Sequence, residues 1–202
     1  MLRSLLTAAS GMKAQQMQVD TIANNISNSN TTGFKKNRLS FQSLYYQTYR
    51  NQGAELGSGI VDATGLQVGS GTQVAGSAMM MEQGQLELTG NSFDLAIQGE
   101  GFFAVDQPSG ETYYTRDGSF RRDQNGQLRT ANGGTLNPPI TLPPGVMAIN
   151  VSEAGVVSYI TDTGDNQTAG TIQLTRFPNA MGLHAEGANL LSETASSGAP
   201  TI

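Results

Sequence analysis

At 202 residues the chain has the length for one domain of ordinary size plus extra segments, and its formal charge of −5 argues against a nucleic-acid partner, whose backbone requires a concentrated positive surface. Hydrophobic residues at 37% and charged residues at 13% are too poor in charge for a typical disordered chain, while 25 Gly and 7 Pro favour many short strands over long helices. With no cysteine there are no disulfides and no thiolate metal sites, and no run approaches the roughly 20 apolar residues of a membrane span.

The chain opens on a helix. Leu5, Met12, Val19 and Ile26 fall seven apart, Leu2, Ala9, Gln16 and Ala23 form a neighbouring row, and Ala8 and Ile22 lie between them. This spacing predicts an amphipathic helix over about residues 3–27, on the order of 36 Å long, within a first segment of residues 1–28. Lys13, Gln18 and Asp20 are left to other faces. The stripe wants a cover, either this chain's own β body or other helices; residues alone leave both open. Gly11 and the polar content make such a helix marginal by itself. Thr7, Ser10 and Gly11 break the apolar start, so no cleaved secretory signal is read there.

Asn28-Ser29-Asn30-Thr31-Thr32-Gly33 ends the helix, because short polar side chains compete for backbone groups and glycine tolerates positive φ. Phe34, Leu39, Phe41, Leu44, Tyr45, Tyr46 and Tyr49 follow, and residues 53–71 turn Gly-rich. Residues 29–71 read as an extended arm with a flexible loop, its aromatics destined for core or interface.

From residue 72 to 202 short apolar runs alternate with turn signals. Strands are predicted at 93–97, 102–105, 112–115, 118–122, 127–130, 146–151, 156–160 and 172–177, with Asn125-Gly126 as a hairpin turn. The fold class is mainly β with an N-terminal α-helix: an irregular antiparallel sandwich or barrel-like domain plus helix and arm.

The catalytic and ligand-binding patterns are weak. Asp162-Thr163-Gly164 spells the aspartic-protease triplet but occurs once and reads as a turn. Gly99-Glu100-Gly101 resembles a dinucleotide loop, yet Phe102-Phe103-Ala104-Val105 continues as a strand where a helix is required. His184 has no serine elbow and sits in a polar stretch; Met79-Met80-Met81 has no other soft ligand nearby. No catalytic, cofactor or metal site is expected, and the protein is read as no enzyme.

Arg3-Ser4-Leu5, Ala14-Gln15-Gln16, Asp20-Thr21-Ile22-Ala23-Asn24-Asn25-Ile26 and Asn30-Thr31-Thr32-Gly33-Phe34-Lys35-Lys36 resemble the N-terminal signature of bacterial flagellar rod and hook proteins. Downstream, Tyr46-Gln47-Thr48, Gly65-Leu66-Gln67-Val68-Gly69, Phe93-Asp94-Leu95-Ala96-Ile97-Gln98-Gly99, Gly101-Phe102-Phe103, Tyr114-Thr115-Arg116-Asp117-Gly118-Ser119-Phe120 and Ser196-Ser197-Gly198-Ala199-Pro200 look like its distal-rod branch. The resemblance covers essentially the whole chain.

It implies a self-assembling subunit of a helical tube that crosses the periplasm and transmits torque to the hook. Export would need no cleaved signal, and the partners would be other copies, other rod proteins, the hook protein and the surrounding rings, with no nucleic acid and no membrane insertion. The assembly residues would be the seam Leu5, Met12, Val19, Ile22 and Ile26, together with motif and arm residues Asn24, Asn25, Asn30, Thr32, Gly33, Phe34, Lys35, Tyr45 and Tyr46. A sister axial protein (hook or proximal rod) or a secreted β-rich adhesive module are the alternatives. The family continues past the position of Thr201-Ile202 into a linker and a second terminal helix, so the seam is expected to lack its intrachain mate and to be mobile, repacked or paired between chains.

Overall fold

The computed structural model describes residues 2–53, 64–161 and 165–202. The chain divides into two compact units, one of Met1–Ser29 with Lys36–Met80 and one of Asn30–Lys35 with Met81–Ile202.

In the first unit, helix α1 (Leu2–Ser27) runs for 26 residues, about 39 Å. Its carbonyl end is closed by short polar side chains: Asn28 Nδ2 donates to the Asn24 carbonyl and, at 2.7 Å, to Asn24 Oδ1, and Ser27 Oγ donates to the same carbonyl. This is the termination mechanism expected of the Asn/Ser cluster. Four strands follow: β1 (Asn37–Ser43), β2 (Tyr46–Arg50), β3 (Leu66–Gly69) and β4 (Thr72–Met79). β1 pairs antiparallel with β4 and β2 with β3, each ladder interrupted by one register shift. Much of the arm is thus drawn into two ribbons. Most of the Gly-rich run lies outside the described residues.

The second unit carries the core. Its strands are β5 (Phe102–Asp106), β6 (Thr112–Thr115), β7 (Arg121–Arg122), β8 (Leu128–Arg129), β9 (Thr135–Asn137), β10 (Val146–Val151), β11 (Val156–Thr161), β12 (Asn166–Thr171), β13 (Leu174–Thr175), β14 (His184–Gly187) and β15 (Leu190–Ser192). One sheet has the order β14-β15-β6-β5-β9-β8-β7 with β13 also on β5; a second has the order β10-β11-β12. Both stay open, so the mainly β reading holds while no barrel closes among the described residues.

β5 is buried on both faces, which is why Phe102-Phe103-Ala104-Val105 shows no polar alternation. Phe103 and Val105 join Phe120, Leu128, Leu136, Ile140, Leu142, Val157 and Tyr159 in the main cluster. Phe102, on the other face, meets Phe177 edge-on at 6.0 Å, and Phe177 meets Tyr114 at 4.7 Å. The strand expected at 93–97 does not form. Only Asp94 bridges to Ser119, because Thr89 and Asn91 side chains donate to the Asp94 carboxylate and fold the backbone into a turn. Asp162-Thr163-Gly164 lies outside the described residues.

The β14–β15 hairpin turns on Ala188 and Asn189, with φ of 50° and 60°. Two positive-φ loop residues match the twist of the strands, but alanine there bears a steric penalty of roughly 1–2 kcal/mol that glycine escapes. Ala188→Gly is expected to raise stability by about 0.5–1 kcal/mol after the extra chain entropy of glycine is subtracted, read as a higher urea midpoint at unchanged m-value.

Candidate assembly surfaces

The face that α1 turns to its own unit is the small and polar one. Ala14, 4% exposed, is its one buried residue, flanked at helical spacing by the half-buried Thr7, Ser10, Gly11, Gln18, Thr21 and Asn25. These lie toward β1 and β4, where Ser10 Oγ accepts the Thr72 N–H at 3.3 Å. Asn25 forms a two-bond clasp with Asn37: its Nδ2 donates to the Asn37 carbonyl at 2.8 Å and its Oδ1 accepts the Asn37 N–H at 3.0 Å. Small residues permit this close approach, and Gly71 leaves the room that Ser10 Oγ occupies.

The expected seam points the opposite way. Leu5, Met12, Val19, Ile22 and Ile26 are all exposed, Val19 by 62%. Seven residues of 100° fall about 20° short of two turns, so this row drifts around the helix in the sense that winds a partner into a left-handed supercoil. Covering each such side chain is worth up to roughly 1.5–3 kcal/mol.

The arm residues sort differently. Tyr45, 91% exposed, and Tyr46 lie on the surface of their unit. Tyr49 lies near the start of α1, where Arg3 Nη1 donates to its hydroxyl at 3.4 Å. Asn24 serves the helix end, and Asn30 is exposed.

Thr32, Gly33, Phe34 and Lys35 belong instead to the second unit. Asn189 Nδ2, at the hairpin tip, donates to the Thr32 carbonyl at 2.9 Å, and Lys35 Nζ donates to the Glu82 carbonyl at 2.7 Å. Gly33 has φ of 73°, and a Cβ there would stand 2.6 Å from the Asp117 nitrogen. Phe34 is half-buried. The spelling of this string therefore reports a tight backbone crossing over residues 116–117.

Arg116 is the hub of that crossing, and composition and periodicity offered no signal for it. Its Nε donates to the Gly101 carbonyl at 2.9 Å, Nη2 to the Gly99 carbonyl at 2.6 Å and Nη1 to Gln83 Oε1 at 3.2 Å, with the guanidinium 5.3 Å from the Phe102 ring centroid. Gly99 and Gly101, at φ of 100° and 133°, form a turn that the arginine clamps, and β5 follows instead of a helix. Burial lowers the Lys35 ammonium below its usual range, with the Arg116 charge adding to that and Glu82 opposing it. Arg116→Lys should lower stability by about 1–3 kcal/mol, because an ammonium cannot serve two turn carbonyls and stack at once; thermal denaturation of the two forms measures it.

His184 is exposed in β14, and among the described residues no group of three or more His, Cys, Asp or Glu side chains is placed to hold a metal. No described helix is long and apolar enough to cross a membrane.

Two family models match: the flagella basal body rod protein over residues 5–35, and the flagellar hook protein FlgE/F/G D1 domain over residues 96–159. The first covers the helix and the Gly33 crossing, the second β5 to most of β11. The chain is 46% identical to the flagellar basal-body rod protein FlgG of Borreliella burgdorferi over 201 residues, covering 98% of this chain and 76% of that one. The FlgG protein of Caulobacter vibrioides is also 46% identical, over all of this chain and 78% of that one. The chain belongs to the flagellar basal-body rod protein FlgG family. A flagellar hook protein FlgE from Helicobacter mustelae is 42% identical over 66% of this chain but 30% of its own length, so the rod reading is favoured over the hook. The FlgG family is one of structural rod subunits and not of enzymes. Its two matched regions coincide with the helix face and the Arg116 crossing.

Proposed function

We propose that this rod-family chain assembles with copies of itself into the helical distal rod, with the stripe of Leu5, Met12, Val19, Ile22 and Ile26 covered by other helices of the polymer. Residues 1–28 act as the inner-tube helix, residues 29–71 as the arm and residues 72–202 as the outer β domain. Tyr45 and Tyr46 on the arm contact neighbouring subunits. Asn24, Asn25, Asn30 and the Thr32-Gly33-Phe34-Lys35 string serve the same assembly. The observation that carries the reading is the helix's inverted amphipathicity: its own strands take the small polar face, and the five large apolar side chains of the stripe remain in solvent.

Function then resides in repeated heterologous contacts whose rotation does not close, which generate a filament and not a ring. Torque is resisted collectively, because loosening one subunit breaks contacts to several neighbours. The partners are other rod proteins, the hook protein and the rings around the rod; the rod lies in the periplasm, and the chain is exported without a cleaved signal.

Deletion of residues 2–27 tests this in flagellated cells whose own rod gene is removed. The expected result is a stable β unit, secreted or retained, with no rod beyond its insertion point by electron microscopy and no swimming. Functional basal structures built from the deleted chain would refute the proposal.

A further inference from the structure

The order β14-β15-β6-β5-β9-β8-β7 leaves β14 open at one edge of the large sheet and β7 at the other, six strand spacings or about 29 Å apart along the sheet. The two edges carry opposite charge. β7 is Arg121-Arg122, and Arg121 stands directly across the ladder from Arg129 on β8. Arg129 Nε lies 2.8 Å from Asp123 Oδ2, whereas the exposed Arg121 has no carboxylate partner among the described residues. Arg122, paired with the buried Leu128, has its Nε shut from solvent with no hydrogen-bond partner among the described residues. Like charges directly opposed across a ladder destabilise an isolated sheet. Three arginines in these two short strands, in a chain of net charge −5, therefore break a local rule, as functional surfaces do.

The β14 edge is acidic. Glu186 is exposed and sits at the register shift between Ala185 and Gly187, the kind of bulge that re-aims a side chain at a sheet edge. Ser192 Oγ donates to Glu186 Oε1 at 2.8 Å, the exposed Glu193 follows β15, and the exposed Glu111 leads into β6. Tyr113 Oη donates to Glu111 Oε2 at 2.6 Å. That bond first, then burial and then the charges of Glu111 and Glu186 push the Tyr113 hydroxyl above its usual range. Both carboxylates thus act on one phenol, and neither has a basic partner among the described residues.

Charge singles out this pair of edges. The other open strands of the same unit are β10 and β12, at the two sides of the three-stranded sheet, and β13 on β5; none carries a charged residue. In the first unit β3 and β4 are uncharged, β1 has Arg38 alone, and β2 has Arg50, whose Nη2 donates to the Thr64 carbonyl at 3.4 Å. Asp106, in the interior strand β5, is held by Thr112 and Asn137. Among the described strands, Glu186 is thus the acid on an open edge, and β7 is the edge where bases cluster. Two β14 edges would set acid against acid and two β7 edges base against base, so only unlike edges attract.

We infer that the β7 edge of one copy meets the β14 edge of a second copy, placing Arg121 against the carboxylates of Glu186, Glu111 and Glu193. The two edges are different surfaces, so the contact is heterologous and propagates. An exposed ion pair contributes little by itself. Here it fixes direction and register, and each copy makes it at both edges. The inference rests on the polymer reading above and adds to it a defined contact outside the helix.

Charge exchange tests it in the full-length chain. Arg121→Glu makes a copy acidic at both edges, and Glu186→Arg a copy basic at both. Each alone should raise the concentration needed for association by about fivefold or more, while an equimolar mixture of the two, or one chain carrying both, should recover it to within about twofold. Arg121→Glu also turns the like-charge pair with Arg129 into an opposite one, so its thermal midpoint should hold or rise while association falls, which misfolding would not produce. Arg38→Glu has the same net charge and should change association by less than about twofold. Equal loss with Arg38→Glu, or no recovery in the mixture and the double variant, would overturn the contact.

The contact itself is read with Arg121→Lys, which keeps the charge and supplies an amine. Isotope-labelled and unlabelled copies are mixed at high concentration and treated with a carbodiimide, and links between chains are located by mass spectrometry. Amide bonds from position 121 to Glu186, Glu111 or Glu193 of another copy are expected; links confined to other carboxylates, or none, reject the inference. Polymer formation is scored separately by electron microscopy. Polymers without these links reject the edge contact alone, whereas links without polymers support it and count against the assembly reading.

Discussion

A chain carrying Met12→Asp and Val19→Asp should keep its fold and lose its self-association. Both side chains are exposed on the stripe, and the helix is held to β1 and β4 through Ala14, Ser10 and Asn25 on the other side. The intrinsic helix penalty is a few tenths of a kcal/mol for Met to Asp and near zero for Val to Asp. Thermal midpoints should therefore shift by no more than a few degrees. In the polymer the same two positions would be covered, and each carboxylate would be driven from water without a partner. Association is expected to weaken by roughly 100-fold or more, about 2.8 kcal/mol at 1.4 kcal/mol per tenfold, as read by sedimentation. Lys13→Asp, which reverses a charge off the stripe, should change association by a factor of a few only. If the double variant and Lys13→Asp weaken assembly equally, net charge and not the stripe is responsible.

The largest effect on the fold itself is expected from Gly118→Ala. A Cβ at Gly118 would overlap the Leu95 carbonyl oxygen, a backbone atom with no rotamer to escape into. The same glycine's carbonyl accepts the Leu95 N–H at 2.9 Å, and the neighbouring Phe120 is buried in the main cluster. Relieving the overlap must separate these two segments, lose that bond and loosen Phe120, which together cost about 3 kcal/mol or more. Gly76→Ala is the counterpart: its Cβ would meet nothing within 4 Å and its φ is not positive. A methyl group there should be neutral or stabilising by up to about 1 kcal/mol. Chemical denaturation of the two variants separates a glycine demanded by close approach from one that is not.

The contrast between these glycines shows where reading the chain by pattern stops. The string Tyr114-Thr115-Arg116-Asp117-Gly118-Ser119-Phe120 is recognisable as a family spelling, yet nothing local says that Gly118 passes under Leu95 or that Arg116 clamps Gly99 and Gly101. Those demands come from residues 15 to 23 positions away in the chain, and they exist only once the strands are paired. Strand expectations fared best where the run is long and bounded by turns, as for Val146–Val151 and Val156–Thr161. They failed at 93–97, where the carboxylate of Asp94 accepts from Thr89 and Asn91 and outcompetes a ladder.

Helix α1 carries the same lesson in its two faces. Its existence, extent and apolar row follow from seven-residue spacing, because helical periodicity is a property of the chain alone. Which face the subunit would keep for itself does not follow from hydrophobicity, which selects the wrong one. The row of Thr7, Gly11, Ala14, Gln18, Thr21 and Asn25 was equally visible at heptad spacing, but small and polar residues signal contact only when a backbone comes near enough for shape and hydrogen bonds to outweigh buried area.

The amino-acid sequence by itself thus determined the mainly β class, the amphipathic helix and the family, since each rests on local pattern, composition or spelling. The tertiary structure alone decided that α1 turns its polar side inward and that Thr32-Gly33-Phe34-Lys35 is held by Asn189, Asp117 and Glu82. The physical reason is that close approach and exposure are relations between distant segments, and a relation of that kind has no value until the chain is folded.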